Sequence, residues 1–333
     1  TLKEINKQHG KNTISYLDES DDRANINWKP TGCYSLDRIM GGGIPTGRFI
    51  EIFGSYGSGK STLAMFLAAS VQRRGGKVAW LDSEFSFSRE YAQKIGLDTS
   101  TLLFSQPETS EMAIDTIEKL VHTSEVDLIV LDSTASLVPS KELEGDINDQ
   151  TIALQARILS KGLRMITGAV SKTNTVVIFI SQIRDKIGMF VGKGTDSTSG
   201  KALKFYTSLR IEVSAIKKLM DKNGVVIGTR LKVFVAKNKV SNPFGQAEVD
   251  MIFGVGIDVV ADYFDVGASV GLIERSGTTF TFNGIKLGVG RLNALQTIRE
   301  SKELFEEIKK KVEDSKAVLQ TSEGLKDDIE PFK

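Results

Sequence analysis

The stretch that most constrains this chain is Gly54-Ser55-Tyr56-Gly57-Ser58-Gly59-Lys60-Ser61, which fits G-x-x-x-x-G-K-[ST], the phosphate-binding P-loop. Its surroundings fit too. Residues 48–53 alternate like a strand, and Leu63, Phe66, Leu67 and Val71 recur at helical spacing until Gly75-Gly76 closes the helix. Glycines let the backbone curl so that successive N–H groups point at phosphate oxygens, and the following helix adds the positive end of its dipole. Lys60 is expected to reach the β- and γ-phosphates and the Ser61 hydroxyl to help hold Mg²⁺, with Thr62 as a further nucleotide contact. A glycine-rich turn that spells the motif by chance is disfavoured by the strand before it and the helix after it.

From residue 31 onward, strands and helices alternate. Strands are expected over 77–82, 102–104, 127–132 and 175–181, and helices over 88–95, 112–121 and 149–170. Such alternation implies parallel pairing, with the site at the carboxyl ends of the strands. The character changes after Phe205. Segments 209–215 and 225–235 are β-rich around Asn223-Gly224, so antiparallel strands join one side of the sheet. Beyond residue 270, a second hairpin at Asn283-Gly284 and helices over 292–299 and 304–312 suggest a small C-terminal domain, and 321–333 reads as a frayed tail. At the start, Leu2 and Ile5 suit a short amphipathic helix. Residues 13–17 suit an isolated strand, either pairing with a neighbouring subunit or packing as a loose leader on its own domain.

Composition narrows the function classes. The net charge is +1, so a nucleic-acid surface must be a local patch. Cys33 is the single cysteine, which excludes an internal disulfide and suits a reducing compartment. His9 and His122 lie far apart, which argues against a His/Cys zinc site. No apolar run approaches the ~18 residues of a membrane span, so a cytoplasmic protein with no membrane partner is expected.

Further chemistry follows the P-loop. Asp132 ends an apolar run, where a carboxylate either helps position Mg²⁺ or caps the next element. Glu84 ends the strand after the P-loop helix, placed to activate the attacking water or to lie in a solvated acidic loop. Gln182 ends another strand and is placed to sense the γ-phosphate. Residues 184–201 then form a long Gly/Ser/Thr segment carrying Arg184 and Lys186. It suits a backbone binder, with Ile187 or Phe190 inserting between bases, as well as it suits a solvated loop without a partner.

At this point the chain resembles the bacterial RecA recombinases. The likeness runs from about Lys7 to Val312 through Ser105-Gln106-Pro107, ELEGD at 142–146, Gln182-Ile183-Arg184, Lys186-Ile187-Gly188, ALKFY at 202–206, VAKNKV at 235–240 and Pro243-Phe244. The resemblance implies an α/β fold: a P-loop ATPase core over 31–269 with a mixed, mostly parallel sheet. A short polymerisation segment (1–30) would precede it, and a small α/β C-terminal domain (270–320) would follow. It implies that Glu84 is the water-activating base and Asp132 the Mg²⁺-associated carboxylate. Tyr91 would stack on adenine, and Gln182 would link the γ-phosphate to DNA. Lys237 and Lys239 would reach the ATP of a neighbouring subunit. A first DNA loop would span about 144–157, with Ile152, Arg157 and Arg164. A second would span 184–201, with Arg184, Lys186, Ile187, Gly188, Gly200 and Lys201. Lys286 and Arg291 would meet duplex DNA, or lie on an ordinary solvated face.

Some positions depart from the family pattern. Tyr56-Gly57 replaces Glu-Ser inside the P-loop, Phe85 a His, and Ile152 a Met. Ser88 stands where an Asp commonly contacts adenine, which leaves base selectivity open. The function implied is ATP-dependent homologous recombination on a filament that holds single-stranded DNA and pairs it with a duplex. Rival readings are a ring ATPase with a regulatory or remodelling role, a non-catalytic DNA-binding filament module and, weakest, a small-molecule phosphotransferase.

Overall fold

The computed structural model describes residues 2–10, 13–14, 16, 25–145, 154–184, 196–197 and 200–315. Its centre is one sheet, ordered from one edge as Gly256–Ile257, Gln246–Ile252, Val226–Asn238, Leu209–Met220, Phe49–Gly54, Val176–Arg184, Leu128–Asp132, Val78–Asp82 and Leu103–Ser105. Asp196–Ser197 pairs with the end of Val176–Arg184. The strands from Leu209–Met220 to Leu103–Ser105 run parallel, and those on the other side are antiparallel. This is the mixed, mostly parallel sheet expected.

Both faces of the parallel part are covered, which explains the continuous apolar runs. Side chains alternate with period two: Ile178 and Ile180 join one core with Trp80 and Val130, while Val177 and Phe179 join the other with Leu81 and Leu131. Helices Tyr34–Met40 and Lys60–Gln72 cover the first face through residues such as Leu36, Leu63 and Leu67. Ser110–Thr123, Leu154–Thr173 and Gly200–Tyr206 cover the second through Ile117, Leu163 and Leu203. Trp80 and Phe179 are fully buried, each worth about 1.5–3 kcal/mol on the usual area scale. The helix expected over 149–170 is described from Leu154 onward, and 149–153 lie outside the described residues.

Both hairpins form. At the second, Asn283 and Gly284 take positive φ (50° and 78°), the twist a two-residue turn between strands requires. The C-terminal unit is a three-stranded sheet, Ile273–Ser276, Thr279–Phe282 and Ile285–Val289, packed with helices Arg291–Glu300 and Lys302–Asp314. The helix Val259–Ser269 belongs to it by packing, because Phe264 and Val266 share a core with Phe282, Leu295 and Ile308. The division therefore falls before this helix rather than after residue 269. Ion pairs join the two units: Arg230 donates to Asp250 at 3.2 Å and Asp265 at 2.7 Å, and Arg291 lies 2.8 Å from each of the same two carboxylates.

The helix Leu2–His9 forms at the start of the chain and buries none of its residues. Thr13 and Ile14 lie in a bend instead of the expected strand, since Asn6 takes both the N–H and the C=O of Ile14 at 2.9 Å. Residues 15 and 17 of that stretch, and the tail 321–333, lie outside the described residues. Among the described residues, no helix is long and apolar enough to cross a membrane.

Candidate nucleotide-binding site

The P-loop turns between the strand Phe49–Gly54 and the helix Lys60–Gln72, as the motif requires. Gly54 allows the strand to end against its neighbour: a Cβ there would lie 2.2 Å from the Val213 carbonyl oxygen. Gly57 (φ 69°) and Gly59 (φ 90°) take left-handed conformations that a side chain would strain. A Cβ on Gly57 would meet nothing within 4 Å, so the turn opens onto free space. Lys60 curls back and donates from Nζ to the Ser55 carbonyl oxygen at 2.8 Å. The Ser58 hydroxyl is buried and makes no hydrogen bond to any of the described residues, an orphaned donor inside the turn.

A cavity of about 280 Å³ lies over this turn, lined by residues 56–62 together with Glu84, Tyr91, Asp132, Gln182 and Phe253. The parallel strand ends bring the two carboxylates there, Glu84 just after Val78–Asp82 and Asp132 at the end of Leu128–Asp132. Burial, helped by the nearby charges of Glu84 and Asp82, pushes Asp132 up to about 6, against the Ser61 hydroxyl and Lys60. Burial likewise lowers Lys60, while Asp132 and Glu84 oppose the shift. Glu84 Oε1 accepts from the Ser133 hydroxyl in a very short contact and from Gln182 Nε2 at 3.0 Å. Asp82 is spent structurally, accepting from the Phe87 N–H and from Gln106 Nε2, both at 3.1 Å.

Ser88 caps the helix Arg89–Ile95, its hydroxyl accepting from the Tyr91 N–H. That places the Tyr91 ring at the cavity, where its hydroxyl lies 3.3 Å from Thr62 Oγ1. Sequence reasoning missed Thr229, Leu231, Met251 and Phe253, which line the opposite side. They come from the antiparallel hairpin and its neighbour, and no local pattern marks them.

Other expected residues lie elsewhere. Lys237 and Lys239 do not line the cavity. Both donate to carbonyl oxygens in the last turn of the helix Gly200–Tyr206: Lys237 to Lys204 and, at 3.4 Å, to Phe205, and Lys239 to Phe205 at 3.1 Å. Burial first, then the charges of Lys239 and Arg210, push Lys237 down to about 8. Arg157 and Arg164 are exposed on the helix Leu154–Thr173. Lys161 lies exposed between them at i+4, completing a basic stripe that the spacing 157, 161, 164 could have revealed. Lys286 is exposed on the strand Ile285–Val289. Arg291 is engaged within the chain: its guanidinium pairs with Asp250 and Asp265. Ile152, Lys186, Ile187 and Gly188 lie outside the described residues, as do the side chains of Arg184 and Lys201, while Gly200 opens a helix.

The glycine cradle, the buried lysine and the two carboxylates on adjacent parallel strands define a P-loop nucleotide-binding protein. Matches along the chain narrow the class. Residues 1–258 match the model of the RecA N-terminal domain, and residues 261–317 that of the RecA C-terminal domain. Protein RecA of Acidothermus cellulolyticus is 42% identical over 314 residues, covering 94% of this chain and 90% of that protein. Protein RecA of Mycolicibacterium smegmatis is 43% identical over 331 residues, covering 99% and 94%. The chain belongs to the RecA family, with its function in homologous recombination and DNA repair. Members of the family bind DNA and form filaments.

Proposed function

We propose that this chain polymerises on single-stranded DNA with ATP and Mg²⁺ bound between subunits, pairs that strand with a homologous duplex, and hydrolyses ATP faster when DNA is bound. The observation that carries this reading is the hydrogen bond from Gln182 to Glu84. It ties the carboxylate of the nucleotide cavity to the strand that leads into residues 184–201.

The residues present suit the ligands. Open space over Gly57 and the orphaned Ser58 hydroxyl fit a triphosphate. Ser61 and Asp132 would hold Mg²⁺ together with phosphate and water oxygens, the sparse protein ligation this ion favours. The bound ion would neutralise charge on the phosphate oxygens. Lys60 supplies positive charge at the β- and γ-phosphates, and Tyr91 an aromatic face for the adenine. Glu84 takes a proton from the attacking water. Lys237 and Lys239 lie apart from their own cavity, which suits a role at the ATP of a neighbouring subunit, where they would stabilise charge as an arginine finger does.

Arg157, Lys161 and Arg164 would follow the phosphates of the single strand, and Lys286 those of a duplex. Residues 1–30 would serve assembly, and the C-terminal unit the duplex. A cytoplasmic location accords with the lone Cys33.

Steady-state ATP hydrolysis with and without single-stranded DNA, across protein concentrations that span assembly, tests the reading. Stimulation that grows with protein concentration is expected. Equal rates would point to a ring ATPase, and no hydrolysis to a binding module.

A further inference from the structure

Glu84 is held by donors from two different strands. Its Oε1 accepts from Ser133, which directly follows the strand Leu128–Asp132, and from Gln182 in Val176–Arg184. A free glutamate side chain samples several rotamers; two donors converging on one oxygen remove most of that freedom and set the direction of the other.

Ser133 is itself fixed. It is fully buried, and its carbonyl oxygen accepts from the Ser83 hydroxyl at 2.7 Å and the Ser136 hydroxyl at 3.0 Å. Those two hydroxyls lie 2.9 Å apart. The backbone on either side is pinned as well: the Ser83 N–H donates to the Asp132 carbonyl at 2.8 Å, and the Thr134 N–H to the Ile180 carbonyl at 2.9 Å. The turn after Asp132 is thus stitched to both neighbouring strands, with one hydroxyl aimed at the carboxylate.

We propose that Ser133, braced by Ser83 and Ser136, is a positioning residue that aims Glu84 at the attacking water through Oε1. The two donors differ in kind. Gln182 leads toward residues 184–201 and responds to nucleotide and DNA, whereas Ser133 belongs to the buried turn and holds the base in every state. The inference rests on the reading of Glu84 as the base.

The test compares Ser133→Ala, Ser83→Ala and Glu84→Gln in steady-state ATP hydrolysis with single-stranded DNA. Losing a hydrogen bond to a charged group should lower kcat about tenfold in Ser133→Ala, with KM for ATP within about twofold and nucleotide-dependent assembly retained. Ser83→Ala keeps the Ser133 hydroxyl but loosens its mount, and should lower kcat about threefold. The deciding readout is Ser133→Ala in the Glu84→Gln background. Positioning acts only through the carboxylate, so no further loss is expected there, whereas a structural role would lower the residual rate again. A second tenfold loss in that background, or an unchanged kcat in Ser133→Ala alone, overturns the proposal. If Ser133→Ala does not fold, the same cycle with Ser83→Ala decides it by the same criteria. Normal hydrolysis by Glu84→Gln would remove the underlying assignment of the base, and the proposal with it.

Discussion

Gln182 donates from Nε2 to Glu84 Oε1 at 3.0 Å, joining the strand that enters residues 184–201 to the carboxylate of the nucleotide cavity. A γ-phosphate in the cavity would compete for the same amide. Gln182→Ala should therefore lose stimulation by single-stranded DNA, whatever the fall in its basal rate. Paired rate measurements with and without DNA check this, and a variant stimulated like the parent would refute the coupling.

Lys60 carries the positive charge nearest the P-loop turn. Lys60→Ala should weaken nucleotide binding by roughly one to two orders of magnitude, the value of a charge-assisted hydrogen bond. Titration with a fluorescent ATP analogue measures it, and loss of nucleotide-driven assembly should follow.

Removing the proposed base should separate binding from turnover. Glu84→Gln keeps the shape of the side chain but cannot take a proton, so hydrolysis should fall by about 10²–10⁴-fold while assembly persists. Light scattering for assembly and phosphate release for turnover, run on one sample, distinguish the two.

The lysine pair makes the system sensitive to alkali. Lys237 titrates at about 8, below its ordinary 10.5. The unfolded chain thus binds more protons between those values, and the isolated protein gains stability as pH rises through that window. The proposed contact with a neighbour's ATP would require the charged form and should weaken over the same range. Nucleotide-dependent assembly should fall above pH 8, and Lys237→Arg should hold it up. A flat assembly profile to pH 10 would remove Lys237 from the interface.

Arg291 and Lys286 should part company. Arg291→Ala leaves Asp250 and Asp265 leaning on Arg230 alone and should cost about 1–3 kcal/mol in urea unfolding, less than for a fully buried pair. Lys286→Ala should leave stability within about 0.5 kcal/mol and reduce the salt dependence of duplex binding by about one counterion.

Much of the core was legible in the sequence because its signals are local. The P-loop glycines, the period-two strands and the Asn-Gly turns each depend on a few neighbouring residues, whose backbone preferences decide the outcome. Glu84, Asp132 and Gln182 could be placed for a similar reason: each lies at or within two residues of the carboxyl end of a strand, and parallel strands bring such ends together. Tertiary structure alone decided the rest. That Ser133 and Gln182 share one oxygen of Glu84, and that Arg291 serves Asp250 and Asp265, depend on contacts between residues distant in the chain. The domain boundary moved for the same reason. Residues 259–269 read as a continuation of the core, but Phe264 and Val266 bury their side chains against the C-terminal unit, and burial, not sequence order, assigns a helix to its core.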